Sequence, residues 1–520
     1  MSFDVHGPAR TRPALAASAT GASSPARPAR VYGWLATAGI GTALVLFVLV
    51  SLARAPWMQP PVPMPRVGPP FELTGWHLQQ GTVTVLLWLS ALAGGLGVAA
   101  GLVAAQRGAR PPMRLLLAGA AVAVAILTVL PPAGSTDALD YAAFGRMLVL
   151  GHSPYVMVPW DLMRMHDAIA KSLPQEWDRL PTPYGPAATL EQFAAAQLGG
   201  ASAARIVFWL KLCNAMAFGA VAITADRLLR SAPEARLRAH LLWTVNPLLI
   251  WQEIAAAHLD VLAAAAGMLG LIVACGWPAV PAAGHPRLGR VLAGGALIGL
   301  AADIKITYLL FAVGMAWALR KSAAACAAGA CGVAGVLLPT YAWFGRPAVL
   351  AVLARGNKTT ADNFYQLFSR AQDGFLMEHV AIIATVLVVC VAMLALAHLP
   401  FRATAHPAIF VALALSTSWL FIWQYQLPSY DVMIICLLIL VPVSWLDVLV
   451  VVRLTAATIA LMPGNPQPVR EHILNRIYNY DITVLVPIVL IAVVASFIAL
   501  CLSERWRNRP SRLEPRPELA

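Results

Sequence analysis

Two aspartates that directly follow an apolar stretch are candidates for proton transfer. Asp137 and Asp140 stand in the segment GSTDALDY of residues 134–141, one turn apart if the segment is helical. A carboxylate held at the mouth of a cavity can accept a proton from an attacking hydroxyl. Burial against apolar walls would raise its pKa toward a useful range. The alternative is helix capping, because Ser135, Thr136 and Asp137 are all good N-cap residues.

Two turns fixed by proline and glycine carry tyrosines that could contact a sugar. The first is GHSPY of residues 151–155, which ends at Tyr155, and the second is PTPYGP of residues 181–186, which contains Tyr184. Each tyrosine offers an aromatic face and a hydroxyl, as does Tyr141. Ordinary turn chemistry explains the same residues without any ligand.

Three ionisable residues cluster where two apolar runs meet: Glu253, His258 and Asp260. Ionisable groups at membrane depth are costly, which makes them candidates for function. His258 and Asp260 resemble two members of a metal site. However, residues i and i+2 do not share a helix face, and no third ligand is evident. We therefore predict no cofactor and a hydrogen-bonding role toward a sugar or a phosphate, with a divalent metal at these residues as the alternative.

Cationic and aromatic residues complete the set of candidates. Lys305, in AADIKIT of residues 301–307, could bind a phosphate as a point charge or form an internal ion pair with Asp303. Arg370, in the polar stretch 342–378, is a second phosphate candidate. Tyr425 lies in WQYQLPSYD of residues 423–431, a composition that suits sugar contact and also an interfacial aromatic belt.

The composition indicates that these residues are held in position within a membrane. The chain is 59% hydrophobic and only 12% charged, whereas a soluble chain carries roughly 25% charged residues. Apolar runs long enough to cross a hydrocarbon core of about 30 Å recur along it. The net charge of +13 does not indicate a nucleic-acid partner, because the basic residues form short clusters between apolar runs. The sequence therefore predicts an all-α polytopic membrane protein in contact with lipid.

The apolar runs predict about 13 to 14 transmembrane helices, and the runs around 239–276 and 290–320 could instead be broken helices. Basic clusters, among which we count Arg238 and Arg453, fall on one side and make it cytoplasmic. Both termini are then cytoplasmic, and the opposite, extracytoplasmic face of a plasma membrane receives four long loops: 54–81, 134–203, 342–378 and 463–481. Periodicity predicts short interfacial helices at 160–173, with Asp167 and Lys171 paired, and at 187–198.

At these residues the chain resembles the polytopic GT-C glycosyltransferases. Among them it is most similar to the polyprenyl-phosphomannose-dependent alpha-1,6-mannosyltransferases of lipomannan and lipoarabinomannan assembly. The segments that carry the resemblance are 137–155, 181–186, 246–260 and 305–307. The chain departs from the family at QLPS of residues 426–429, where a Leu-Pro-Trp type element is usual, and this departure concerns acceptor recognition.

The resemblance implies a GT-C-like catalytic domain over 31–503, with 134–203 as the main catalytic loop, between a disordered cytoplasmic tail at 1–30 and a basic cytoplasmic tail at 504–520. It implies a sugar, mannose in the family, moved from a polyprenyl phosphate donor to a glycan or glycolipid acceptor with inversion. The position that matches the family base is Asp137, with Asp140 in reserve. A transporter or lipid flippase would use the same buried charges as a substrate path. A non-catalytic partner of a cell-envelope complex is the other alternative.

Overall fold

The computed structural model describes residues 27–53, 62–174, 177–276, 287–354, 359–369, 375–399, 402, 404–462 and 471–507. These residues form helices and no β-strand, which confirms the all-α class. The α-helices of the described residues up to position 228 are α1 (Arg27–Leu52), α2 (Gln80–Gln106), α3 (Met113–Val129), α4 (Asp137–Val149), α5 (Pro159–Arg164), α6 (Pro186–Gly199) and α7 (Ala203–Leu228).

The remaining helices complete the bundle. Those of the middle region are α8 (Pro233–Ala239), α9 (Pro247–Ile250), α10 (Asp260–Cys275), α11 (Leu288–Ile304), α12 (Leu309–Leu319), α13 (Ala323–Phe344) and α14 (Arg346–Leu353). Those of the last region are α15 (Tyr365–Ser369), α16 (Phe375–His398), α17 (Pro407–Ile422), α18 (Val432–Leu438), α19 (Leu446–Leu461), α20 (His472–Tyr480) and α21 (Val486–Arg507).

Fewer helices than predicted are long enough to cross a membrane alone. Within the described ranges six qualify by length and composition: 29–52, 80–106, 203–228, 323–344, 379–398 and 472–503. A seventh forms if Pro233–Ala255 and Asp260–Cys275, which meet at a bend of 115°, count as one span. This bend confirms the broken-helix alternative for 239–276. Prolines and polar residues divide several other apolar runs, so helices such as α3 and α17 are shorter than a full span.

The long polar stretch 134–203 folds differently from its prediction in one part. The helix predicted over 160–173 ends at Arg164, and His166 has a left-handed backbone with φ of 53°. Asp167 then pairs with Arg146 of α4 at 2.9 Å and not with Lys171. The second predicted helix, at 187–198, is confirmed as α6.

Helices α1 and α2 cross at glycines. A Cβ atom on Gly97 would lie 2.6 Å from the backbone nitrogen of Ile40, and one on Gly39 would lie 2.6 Å from the carbonyl oxygen of Ala93. Inside a bilayer no hydrophobic effect draws helices together, so close backbone approach is the main source of attraction. These glycines therefore set the distance between the two helices.

Helix α11 is fixed by glycines on two sides. A Cβ atom on Gly294 would meet the carbonyl oxygen of Gly270 in α10 at 2.5 Å. One on Gly295 would meet the carbonyl oxygen of Gly329 in α13 at 2.3 Å. The end of α11, from which Lys305 follows, is thereby held against both neighbours.

A buried ion pair joins α8 to α19. Arg238 donates two hydrogen bonds of 2.5 Å to the carboxylate of Asp447, and further bonds to the carbonyls of Val441 and Leu438. Arg238 is only 4% exposed. Arg238 is therefore buried in an ion pair with a residue distant in the sequence, and its cytoplasmic position stays a prediction.

Substituting Gly97 tests the crossing of α1 and α2. We expect Gly97→Ala to destabilise the detergent-solubilised protein by about 1–3 kcal/mol, because the added methyl group overpacks a backbone contact. The measurement is the apparent melting temperature by size-exclusion fluorescence. Gly41→Ala on α1 is the matched control, because its Cβ would meet nothing within 4 Å. An equal effect of the two substitutions would contradict this account of the crossing.

Candidate active site

One cavity brings together most of the polar residues singled out in the sequence. Its volume is about 340 Å³. It lies between the starts of α4 and α6, the break after α11, α14, and the loop between α17 and α18. The lining residues are Asp137, Asp140, Tyr141, Phe144, Trp177, Pro183, Tyr184, Ile304, Lys305, Ile306, Thr307, Val352, Trp419, Trp423, Tyr425, Leu427 and Tyr430. We call this space the carboxylate cavity.

Asp137 is the first residue of α4, and the turn before it fixes its position. Gly134 has a φ of 86°, and a Cβ there would lie 3.1 Å from the ring of Trp251. Ala133 donates a backbone hydrogen bond to Ala255. Ser135, and not the aspartate side chain, supplies a hydroxyl oxygen near the helix start, at 3.2 Å from the backbone nitrogen of Asp137. The Asp137 side chain remains 24% exposed, toward the cavity that it lines.

A buried histidine lies behind Asp137. The Nε2 atom of His258 is 3.6 Å from a carboxylate oxygen of Asp137, and its Nδ1 lies 2.8 Å from the carbonyl oxygen of Gln252. A carbonyl can only accept, so Nδ1 carries a proton, and Nε2 faces the carboxylate of Asp137 at a distance beyond that of a hydrogen bond. His258 therefore has a fixed ring orientation toward Asp137.

The sharp bend between α9 and α10 presents His258. Ala257 has a left-handed backbone with φ of 58°, which costs a non-glycine residue free energy. Asn214 of α7 donates from one amide nitrogen to the carbonyls of Glu253 and His258, at 2.9 and 2.8 Å. The Oε2 atom of Glu253 accepts a hydrogen bond from the backbone N–H of Val261 at 3.2 Å. These bonds replace those that the helix loses at the bend.

Lys305 is paired with Asp260 at the start of α10 and not with Asp303, so the ion-pair partner considered from the sequence is wrong. The reason is the bend, which carries Asp260 to the end of α11. The ammonium group also lies over the ring of Tyr430, 3.2 Å from its centroid. The lysine side chain is 12% exposed and lines the carboxylate cavity.

Three tyrosines form a connected set. The hydroxyls of Tyr141 and Tyr184 are 3.1 Å apart, and the hydroxyl of Tyr155 donates to the carbonyl of Tyr184 at 2.9 Å. A Cβ on Gly185 would lie only 1.9 Å from the carbonyl oxygen of Asp303, so glycine lets this turn sit on the end of α11. Burial raises the pKa of the Tyr184 phenol, and the charge of Asp137 raises it further. Tyr184 therefore stays protonated and can donate to a ligand.

Aromatic rings make up one wall of the cavity. Trp419 stacks on Tyr430 at 6.0 Å between ring centroids and on Trp423 at 6.4 Å. Tyr425 packs against Tyr430 at 6.3 Å. Such a wall offers apolar faces to a lipid or a sugar, with hydroxyls at its edge.

A second buried ion pair supports this wall from behind. Arg453 of α19 pairs with Asp431 and donates to the side-chain oxygen of Gln426 at 3.2 Å. Both charged side chains are fully buried. The prediction of Arg453 as an orientation charge is therefore wrong, because it fixes the loop between Gln426 and Asp431.

The sequence-predicted residues divide into two groups. Asp137, Asp140, Tyr141, Tyr184, Lys305 and Tyr425 line the carboxylate cavity. Tyr155, Glu253, His258 and Asp260 lie behind the lining, where they hold the cavity residues and do not themselves form its surface. Their predicted contact with substrate stays a prediction, and Arg370 lies outside the described residues. In the described ranges no group of three His, Cys, Asp or Glu side chains could hold a metal ion.

Three supporting residues were missed from the sequence: Asn214, Asp431 and Trp177. Asn214 stands alone among apolar residues of a span, which is the signal of an intramembrane polar group with a partner. Asp431 ends a segment whose mixture of aromatic and hydrogen-bonding residues suggests sugar contact and gives no sign of a buried ion pair. The sequence around Trp177 has no pattern that predicts a place in the cavity, because Trp177 lies in the irregular part of a long loop.

Comparison with known proteins identifies relatives of the chain. A family model described as Alpha-(1->6)-mannopyranosyltransferase, N-terminal domain, matches residues 28–321. A probable alpha-(1->6)-mannopyranosyltransferase of Mycolicibacterium smegmatis is 30% identical over 148 residues, which are 28% of this chain and 26% of that relative. The alignment thus spans about a quarter of the relative's length. No solved structure matches the chain.

Removing one member of the ion pair behind the aromatic wall tests its role. We expect Arg453→Leu to destabilise the protein by about 3–5 kcal/mol, because the buried Asp431 carboxylate is left without its partner. The measurement is denaturant or thermal unfolding in detergent. The double variant Arg453→Leu/Asp431→Leu should recover most of the loss, and Arg230→Leu, at an exposed arginine, should change little. A double variant as unstable as the single one would contradict the pairing argument.

Proposed function

The chain belongs to the family of the alpha-(1->6)-mannopyranosyltransferase N-terminal domain, and from that premise we propose that it is a membrane-embedded mannosyltransferase. The proposed donor is a polyprenyl phosphate mannose, and the acceptor is a hydroxyl of a glycan or glycolipid. The new linkage is alpha-1,6, as the name of the family suggests. No metal or other cofactor takes part in the proposed reaction.

The observation that carries the proposal is that Asp137 and Lys305 line one cavity whose wall is aromatic. A transferase of this kind needs a base for the acceptor hydroxyl and a cation for the departing phosphate. It also needs apolar surface for the lipid and hydrogen-bonding groups for the sugar. The carboxylate cavity contains residues for all four tasks.

Lys305 suits the donor phosphate. An ammonium group has three N–H donors, and Asp260 occupies one of them. The ring of Tyr430 faces a second side of the ammonium group, the donor that remains can reach a phosphate oxygen, and Tyr184 can supply a further donor. Because Asp260 is buried and fixed at the start of α10, the ammonium group is positioned before the donor arrives.

Asp137 suits the acceptor. In the proposed step its carboxylate takes the proton of the acceptor hydroxyl while that oxygen forms a bond to the anomeric carbon. The bond between the anomeric carbon and the phosphate oxygen breaks, and polyprenyl phosphate leaves with the bonding electrons. A single displacement inverts the anomeric centre. His258 acts as a positioning residue, since its Nε2 faces the carboxylate from behind.

The lipid chain of the donor has a route beside the cavity. Val352 of α14 lines the cavity, and its neighbours Leu350 and Leu353 are 51% and 69% exposed. Exposed leucines beside a cavity in a membrane protein suit contact with an acyl or prenyl chain. We assign α14 to the place where the donor passes sideways from the bilayer.

We propose that the cavity lies on the extracytoplasmic side, and the distribution of basic residues supports this. Helix α11 runs from Arg290 to the cavity at Ile304, and α12 runs from beside the cavity to Arg320 and Lys321. The basic residues thus lie at the ends remote from the cavity. By the positive-inside rule those ends are cytoplasmic.

Asp137→Asn tests the base. We expect transfer from polyprenyl phosphomannose to fall by roughly 100-fold or more, because the amide cannot accept the acceptor proton. Expression, melting temperature and donor binding should be unchanged, since the side chain is partly exposed and keeps its shape. The measurement is product formation with purified protein, resolved by mass. Asp140→Asn should have the smaller effect; full activity of Asp137→Asn would reject the assignment.

Lys305→Gln tests the phosphate site. We expect donor binding to weaken about 10- to 100-fold, the equivalent of about 1.5–3 kcal/mol for a hydrogen bond to a charged group. The measurement is the dissociation constant of polyprenyl phosphomannose, with the melting temperature as a check on folding. Lys321→Gln is the matched control, because that lysine is exposed and lies at the other end of α12. Equal donor affinity in Lys305→Gln and the wild type would contradict a phosphate contact.

A further inference from the structure

A second cavity adjoins the first and has a different chemical character. Its volume is about 450 Å³, within the roughly 300–1,000 Å³ of small-molecule sites. The segment 359–362, the loop before α18, the end of α19 and helix α20 enclose it. Trp177, Tyr425 and Leu427 line both cavities, so the two spaces share a wall. We call the second space the amide cavity.

The amide cavity is lined mainly by neutral hydrogen-bonding groups, with one carboxyl group among them. Asn475 and Asn479 of α20 and Thr359 and Thr360 contribute amides and hydroxyls, and Asp362 adds a carboxyl group. None of its described lining residues is lysine or arginine, whereas the carboxylate cavity contains Lys305. Amides both donate and accept, as sugar hydroxyls do. The lining therefore suits a neutral polyhydroxylated ligand better than a phosphate.

Helix α20 is amphipathic: its exposed face carries apolar residues together with Arg476, and two asparagines line the cavity. Ile473, Ile477 and Tyr480 are 72%, 48% and 60% exposed, and they recur at the spacing of one helix face. Asn475 and Asn479, one turn apart, line the cavity instead. In a membrane protein, polar groups collect where they line a water-filled space. This arrangement indicates a hydrated, solvent-accessible cavity.

We propose that the amide cavity binds the acceptor as a neutral oligosaccharide, with its reactive hydroxyl passing between Trp177 and Tyr425 into the carboxylate cavity. This inference rests on the proposed transferase function and adds the acceptor subsite to it. The two aromatic residues at the shared wall offer ring faces to the terminal sugar. The charged donor then occupies the carboxylate cavity, which contains Lys305. The neutral acceptor occupies the amide cavity, whose described lining has no lysine or arginine.

The test uses the full-length protein in nanodiscs, with alpha-1,6-linked mannotriose as acceptor and polyprenyl phosphomannose as donor. We expect Asn475→Ala/Asn479→Ala to raise the KM for mannotriose at least tenfold and to leave the donor KM unchanged. Saturation-transfer NMR without donor should detect mannotriose bound to the wild type and lost in the variant. Arg476→Ala is the control, since Arg476 is exposed on the same helix and does not line the cavity.

A second variant covers the case in which the double substitution prevents folding. Thr359→Trp should fill the cavity from an irregular segment and produce the same selective loss of mannotriose binding. Unchanged mannotriose KM and binding in a folded variant would overturn the acceptor subsite. A wild-type protein that binds mannotriose but transfers no mannose would instead reject the proposed function and leave the binding site standing.

Discussion

The candidate site depends on a broken helix whose free carbonyls are satisfied by one asparagine. At the bend of 115° before α10, the amide of Asn214 bonds to the carbonyls of Glu253 and His258. A backbone carbonyl left unpaired in a membrane interior costs several kcal/mol, on the order of 4–8 kcal/mol in a solvent that cannot form hydrogen bonds. The bend is therefore stabilised by a neighbouring helix, in addition to the bonds that Glu253 and His258 make within it. From this bend His258 reaches Asp137, and Asp260 reaches Lys305.

The same rule explains the buried charges. Lys305 with Asp260, Arg453 with Asp431, and Arg238 with Asp447 are all pairs between residues far apart in the sequence. Isolated, each charge would be too costly to bury; paired, each fixes two helical segments against each other. Of these three pairs, the Lys305 pair is the one with a described residue in the lining of the carboxylate cavity. The other two pairs hold segments in place, and Lys305 is the charge that a ligand can reach.

The sequence predicted the cavity residues better than their partners. Asp137, Tyr184 and Lys305 were found because a polar residue between apolar runs carries a local signal, and all three line one cavity. Asp303 was considered as partner of Lys305 because it is two residues away, whereas the bend brings Asp260 from 45 residues away. Arg453 looked like an orientation charge because its partner lies on another segment. The local sequence pattern identifies polar residues that are costly to bury, but tertiary contacts determine which residue pairs with each of them.

The two cavities also differ in which part of the chain builds them. Asp137, Tyr184 and Lys305 fall within residues 28–321, the part that the family model matches. The amide cavity is lined mainly by residues from 359 to 482, beyond that match. Under the proposed assignments, donor chemistry belongs to the matched part and acceptor contact to the later part. The shared wall of Trp177, Tyr425 and Leu427 is then where the two substrates meet, because it is formed by residues from both parts.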